Sequence, residues 1–139
     1  MGPAAKVMLD GESCAAILRR SDAGLLARLR ETAVGEVCIS AVTLAELRYG
    51  VEASRRRAQE LAALEAFLRH VAVEDFPASA AADYGVVRMV LELCEAQVSV
   101  PAMLAAAHAR CLGIRLVTGK AREMGKVQGM TVESWSRQT

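Results

Sequence analysis

The sequence contains no asparagine, few aromatic residues and no long apolar run. Aromatic residues fill only 4% of the 139 positions, which argues against an aromatic surface that stacks on single-stranded bases or sugars. No stretch approaches the ~20 apolar residues that a membrane-spanning helix needs, so we expect no membrane partner. No long apolar region follows Met1, and we therefore expect no secretion signal and a cytoplasmic protein.

An excess of charge of one sign is also absent. The chain has 17 basic and 16 acidic residues, a formal net charge of +1, so its overall charge gives no general attraction to nucleic acid. The four cysteines, at positions 14, 38, 94 and 111, form no C-x-x-C pair and are not at metal-binding spacing from His70 or His108. We expect buried free thiols in a reducing compartment.

The composition and length of the chain predict one folded domain over positions 1–139. Hydrophobic residues make up 53% and charged residues 24%, a balance that excludes a disordered chain. A chain of this length supports a single core, because two domains would each fall near the lower size limit. With so few aromatics, that core must consist mainly of alanine, leucine and valine.

Short apolar segments alternate along the chain with longer helical segments. The predicted strands span 6–9, 37–39, 71–73 and 114–117, with a fifth over 130–132. The predicted helices span 12–20, 23–31, 41–54, 55–68, 78–95 and 103–112, the last closed by Gly113. The short strands show no polar alternation, which indicates a parallel sheet with helices on both faces.

Polar residues follow each of these strands, at the edge of a parallel sheet where functional groups collect. They are Asp10, Glu12, Ser40, Glu46, Glu74, Asp75, Thr118, Lys120, Arg122 and Glu123. Carboxylates that meet at one edge repel each other unless a cation lies between them. Mg²⁺ fits that role and supports phosphodiester hydrolysis. The alternative is a set of solvated acids at loop ends.

A receiver domain of a phosphorelay offers a second interpretation. Asp10, Asp75 and Lys120 loosely match its acid after the first strand, its phospho-accepting aspartate and its lysine. Two features count against it. No acidic pair follows the first strand, and two helices rather than one separate the second strand from the third.

Five segments together resemble PIN-domain toxins of the VapC type. They are Val7-Met-Leu-Asp10, the stretch Cys38-Ile-Ser-Ala-Val-Thr-Leu-Ala-Glu-Leu-Arg-Tyr-Gly-Val-Glu52, Ala106-Ala-His-Ala109, Leu116-Val-Thr-Gly-Lys-Ala-Arg-Glu123 and Val132-Glu-Ser-Trp135. They occur in the family's order and cover nearly the whole chain. The stretch around Glu46 is the most specific.

The resemblance implies a three-layer α/β/α fold with a parallel sheet of four or five strands. It implies a ribonuclease that acts on RNA with Mg²⁺ or Mn²⁺, forms a homodimer and is neutralised by a partner antitoxin. Carried over by motif, Asp10 and Glu123 are the expected metal ligands, and Glu46 is the expected acid that positions metal or water.

The sequence also departs from the family pattern, and each departure removes an oxygen or amide group. The family's third acid falls on Ala102, the residues after Asp10 are Gly11 and Glu12, and the family's paired asparagines are replaced by Gly119 and Lys120. Loss of partners around a metal site typically costs about 10- to 100-fold. The departures therefore predict weak or absent metal binding and weakened or lost catalysis.

Four further residues are auxiliary candidates at this edge. Glu12 could restore the number of carboxylates, or it could only interact with the dipole of the helix that it begins. Ser40 could hold a phosphate, cap the next helix, or do both. Thr118 and Lys120 follow the fourth strand, and the lysine competes with a cation or neutralises an acid. The alternative function is a catalytically inactive pseudo-nuclease that dimerises and binds the antitoxin.

Overall fold

The computed structural model describes residues 5–136 as strands that alternate with helices. The strands are β1 (Val7–Leu9), β2 (Val37–Ser40), β3 (Ala72–Glu74), β4 (Arg115–Val117) and β5 (Val132–Glu133). The helices are α1 (Gly11–Arg19), α2 (Ala23–Glu31), α3 (Ala41–Ala53), α4 (Arg57–Leu68), α5 (Ala80–Leu93), α6 (Val100–Leu112) and α7 (Ala121–Met124). None of these helices is long and apolar enough to cross a bilayer.

The five strands form one parallel sheet in the order β3-β2-β1-β4-β5. Strand β1 is central, and Leu9 is level with Ile39 of β2 and with Val117 of β4. The three strands therefore end at the same height. This confirms the parallel sheet and places the residues that follow β1, β2 and β4 side by side.

Alternating side chains of the sheet supply two separate cores. Leu9 and Ile39 point into a core with α1, α2, α3 and α4, whereas Met8 and Cys38 point into a core with α5 and α6. The second core has a wall of small side chains, because four alanines of α6 are fully buried. Helices on both faces of the sheet confirm the three-layer arrangement.

The largest differences from the sequence prediction lie at α6 and α7. Helix α6 begins at Val100 rather than at 103, because the Ser99 hydroxyl accepts the Ala102 N–H and Pro101 is tolerated in a first turn. The four-residue helix α7 was not predicted, since a segment this short carries no helical period. Strand β5 begins at Val132, two residues later than predicted.

The sheet order excludes the receiver interpretation. In flavodoxin-like folds such as the receiver domain, the third strand lies next to the first. Here β3 is the edge strand, and β2 separates it from β1. Asp75, which follows β3, is therefore displaced by a strand from Asp10 and is not the partner that this interpretation requires.

One ion pair connects the two helices of the second core with the segment before β5. Arg110 of α6 lies 2.7 Å from Asp83 of α5 through Nη1 and donates through Nε to the carbonyl of Gln128. Both partners are largely buried. Gly129 has a φ of +86°, so a side chain there would be strained, and its Cβ would also lie 3.3 Å from the Arg110 Nε.

Candidate functional site

Asp10, Ser40 and Thr118 lie side by side at the carboxyl ends of three neighbouring strands. Each comes directly after one of the residues that the sheet register places level, Leu9, Ile39 and Val117. The Asp10 N–H donates to the Val117 carbonyl at 3.1 Å, which ties the first acid to the β4 side of the edge. The sequence prediction that these residues converge is confirmed.

Asp10 is buried and already has a structural partner. Only 1% of its surface is exposed, and its Oδ1 accepts the backbone N–H of Ser13 at 2.9 Å. It is thus the N-cap of α1, where a carboxylate is stabilised by unpaired N–H groups and by the helix dipole. This role fixes the carboxylate and also occupies one of its two oxygens.

Ser40 and Thr118 are both buried and both hold turns of the backbone. The Ser40 hydroxyl caps α3 by accepting the Val42 N–H at 3.1 Å, which confirms the capping function predicted for it. The Thr118 hydroxyl accepts the Lys120 N–H at 2.9 Å. Each oxygen shapes the edge, and each hydroxyl hydrogen remains able to donate.

A groove of about 850 Å³ extends from this edge between α1, α3, α4 and the beginning of α6. Its apolar lining comes from residues such as Leu18, Leu47 and Val51. Its charged lining consists of Glu12, Glu46 and Glu60 together with Arg19 and Arg56. The groove therefore combines an apolar floor with carboxylates from three different helices.

Two of the predicted acids line this groove, and so does the position where the family's third acid is replaced by alanine. Glu46 and Glu12 are exposed and line it. Ala102, in the first turn of α6, lines it as well. The position to which the resemblance assigns the lost acid thus shares the groove with Glu46, and its methyl group provides no oxygen.

Glu123 and Lys120 lie elsewhere on the edge. Both belong to the short helix α7 or its N-cap, and both are half-buried. Neither lines a cavity described for residues 5–136. Glu12 and Glu46 thus both line the groove, whereas Asp10 is buried and Glu123, on α7, does not line it.

These residues do not fit a metal centre closed by protein ligands. Within residues 5–136, no three side chains of histidine, cysteine, aspartate or glutamate come together in a way that could hold a metal ion. Asp10 uses one carboxylate oxygen as a helix cap and keeps the other, Ala102 lacks a donor atom, and Glu123 is on the short helix α7. Ala102, where the resemblance places the third acid, contributes no oxygen to the groove that it lines.

The thiols near the edge do not supply a nucleophile. Burial, and next the charge of Asp10, raise the pKa of the Cys14 thiol well above its usual value. Burial, and next the charge of Glu74, raise the pKa of Cys38 to about 12. Both thiols stay protonated and inert near neutral pH. All four cysteines are free, as predicted, but only Cys14 and Cys38 are buried, since Cys94 is exposed and Cys111 is half-buried.

The sequence prediction missed the contribution of α4 to the groove. Arg56, Gln59, Glu60 and Ala63 all line it. Their spacing of three, four and seven residues marks one face of a helix. That period was visible in the sequence, but it does not reveal which neighbouring helix this polar face meets.

Comparison with known proteins identifies relatives over almost the full chain. Residues 7–126 match the PIN domain. The chain is 36% identical over 131 residues to the tRNA(fMet)-specific endonuclease VapC of Shigella flexneri, which covers 94% of this chain and 98% of the relative.

Two solved structures share the fold over the same length. The DNA-bound VapBC of Salmonella typhimurium matches with a TM-score of 0.82 and 30% identity, covering 94% of this chain and 98% of that one. VapBC2 of Rickettsia felis, bound to a DNA fragment from its promoter, matches with a TM-score of 0.79 and 26% identity at the same coverage.

Proposed function

Because the chain belongs to the PIN-domain family and groups there with the VapC proteins, we propose that it is a VapC-type endoribonuclease toxin with weakened catalysis. The structural observation that carries the proposal is the groove, which presents Glu46 beside an apolar surface at the carboxyl edge of the sheet. We propose that it acts in the cytoplasm, where its RNA substrate would be.

In this proposal Glu46 orients the attacking water and accepts its proton as the phosphodiester bond breaks. It is an exposed acid of the motif that resembles the family most closely, and it lines the groove, whereas Glu52 of the same motif pairs with Arg57. Asp10 and Glu123 are the positions that would contact Mg²⁺ or Mn²⁺ in this family. Because the donor set is incomplete, we expect weak or absent binding of either ion.

The incomplete donor set also favours a second candidate function. A pseudo-nuclease would keep the fold and the groove but bind its partner without cutting RNA. What supports this alternative is Ala102, which has no oxygen at the position of the family's third acid. The cleavage experiment below separates the two.

We propose that an antitoxin segment occupies the groove, because similar structures are VapBC complexes. The groove offers an apolar floor, two cationic side chains, Arg19 and Arg56, and three glutamates. It therefore suits a segment with apolar residues and mixed charge. Such a segment would cover Glu46 and would block access of RNA to it.

An exposed apolar face of α5 supports the formation of a homodimer. Val86, Met89 and Leu93 are 40%, 58% and 77% exposed and recur at the spacing of one helical face. We propose that this face is covered by a second copy. Sedimentation should show a dimer that becomes monomeric in Leu93→Glu; a wild-type monomer at micromolar concentration would contradict it.

RNA cleavage by the purified chain should be slow, and Glu46→Gln should lower its rate at least about tenfold, because the neutral amide cannot accept the proton of water. The matched control is Glu60→Gln, which removes another carboxylate from the same groove and should retain the rate. Cleavage is measured with labelled RNA. Equal rates in wild type and Glu46→Gln would contradict the ribonuclease proposal and leave the pseudo-nuclease.

A further inference from the structure

A second cavity, of about 140 Å³, opens at the same edge between α1, α2, the turn after β4 and the residues that follow β5. It lies on the β4 side of Asp10, because its lining includes Thr118 and Gly119. Glu12 lines both this cavity and the groove. The two spaces thus meet at the Glu12 side chain.

The size of the cavity suits a planar fragment rather than a whole ligand. Pockets that enclose a complete small molecule usually measure about 300–1,000 Å³. One heterocyclic ring system is the largest group that this space accommodates.

Apolar walls and a polar rim make the cavity suitable for an aromatic heterocycle. The walls are Ala16, Leu25 and Trp135. The indole is held in place, because its Nε1–H donates to Glu133 and Arg28 lies 5.0 Å from the ring centroid. Trp135 is only 4% exposed, so it forms a wall and not a stacking surface.

Glu12 provides this cavity with a carboxylate that is free to accept hydrogen bonds. The other carboxylate, Asp22, accepts the N–H groups of Gly24 and Leu25 and also a hydrogen bond from Ser136, so it is engaged. Within residues 5–136, the Glu12 side chain has no hydrogen bond or ion pair. No lysine or arginine lines the cavity among those residues.

The cavity lies next to the acidic edge where RNA would be cut. Ser13 lines it and donates its backbone N–H to Asp10 Oδ1 at 2.9 Å. An RNA backbone that passes Glu12 on its way out of the groove therefore passes the mouth of this cavity. An unstacked base of a single strand is the flat group that would enter, as is usual in sequence-specific RNA recognition.

We propose that this cavity, the base pocket, holds one nucleobase of the RNA substrate and that Glu12 selects a base with a donor edge; this rests on the proposed ribonuclease function. A carboxylate only accepts hydrogen bonds. Guanine offers it a ring N–H and an adjacent amine, which together allow a bidentate pair. Adenine and cytosine offer a single amine, and the ring N–H of uracil is flanked by two carbonyl oxygens that repel the carboxylate. Guanine should therefore bind best and uracil worst.

The chain provides its own probe, because Trp135 is its single tryptophan and lines the base pocket. We would titrate the wild-type protein with each of the four nucleoside monophosphates and with ribose 5-phosphate, correcting for absorbance with free tryptophan. Guanosine monophosphate should change the fluorescence at a concentration about tenfold lower than uridine monophosphate. Ribose 5-phosphate, which has no base, should cause no change.

Two neighbouring alanines of α1 give a matched pair of variants. Ala16 lines the base pocket and Ala15 lines the groove, and both are half-buried. Ala16→Leu should abolish the fluorescence response, and Ala15→Leu should retain it. If Ala16→Leu does not fold, Glu12→Gln decides the question, because this exposed residue should keep the response and lose the preference for guanine.

A response to ribose 5-phosphate, an unchanged response in Ala16→Leu, or an unchanged preference in Glu12→Gln would each overturn the base pocket. These readouts do not depend on catalysis. A base-dependent response without RNA cleavage would support the pocket and contradict the ribonuclease function. RNA cleavage without a base-dependent fluorescence response would support the ribonuclease function and contradict the base pocket.

Discussion

Replacing Ala102 by aspartate should raise Mg²⁺ affinity and RNA cleavage together, each by about 100-fold or more, since even partners around a metal site contribute about 10- to 100-fold. Ala102 lines the groove with Glu46 and Glu12, so the new carboxylate would supply the oxygen that this wall lacks. Mg²⁺ binding is measured by calorimetry without RNA, and cleavage is measured separately.

The fold should tolerate this substitution. Position 102 is in the first turn of α6, after the Ser99 cap, where a negative charge stabilises a helix by about 0.3–1 kcal/mol. Ala102→Asn is the control, because it has nearly the same shape without the charge and should gain little affinity. Wild-type protein that binds Mg²⁺ as tightly as Ala102→Asp would show that the donor set is already complete.

Replacing His108 by leucine should raise the free energy of unfolding by about 1–3 kcal/mol at neutral pH, which is the usual cost of a buried polar group without a partner. His108 is fully buried, and neither ring nitrogen has a hydrogen-bond partner within the described residues. Its contact is an edge-to-face arrangement with Phe76 at 5.2 Å between ring centroids. Leucine has a similar volume and leaves no polar atom unpaired.

The same substitution should weaken the loss of stability in acid. Burial lowers the pKa of His108 below its ordinary value of 6.5, and the charge of Glu74 opposes this only partly. The unfolded chain therefore takes up a proton first as the pH falls below 6.5. The contribution of the neutral imidazole is present above that pH and is lost between 6.5 and the lower folded pKa. Urea unfolding at pH 7.5 and 5.5 would measure both effects.

His70, the other histidine of the chain, is the control. Its Nε2 lies 3.1 Å from the Leu29 carbonyl oxygen, so it has the partner that His108 lacks. His70→Leu should therefore destabilise the protein at neutral pH. If His108→Leu also destabilises the protein, the His108 imidazole must form a stabilising hydrogen bond, and the prediction is contradicted.

Local pattern was sufficient to predict most of the elements. Apolar runs of three or four residues gave the strands, and the 3.6-residue period gave the helices, because both signals depend on neighbours in sequence. The prediction was wrong where the helical period was too short to detect or where a single contact extended a helix beyond it. Helix α7 is too short for a period, and α6 begins early because its cap and proline act through single contacts.

The sequence alone determined the residue types, and so the chemistry that is available. It showed few aromatics, balanced charge, a strand-end carboxylate at position 10, and no oxygen at position 102. Only the tertiary structure decided which of these groups share a space. In that structure Asp10 is buried as the N-cap of α1, Glu12 and Glu46 line one groove, and Glu123 does not line it. The physical reason is that the proximity of carboxylates from α1 and α3 depends on helix packing against the sheet, and no local pattern encodes that distance.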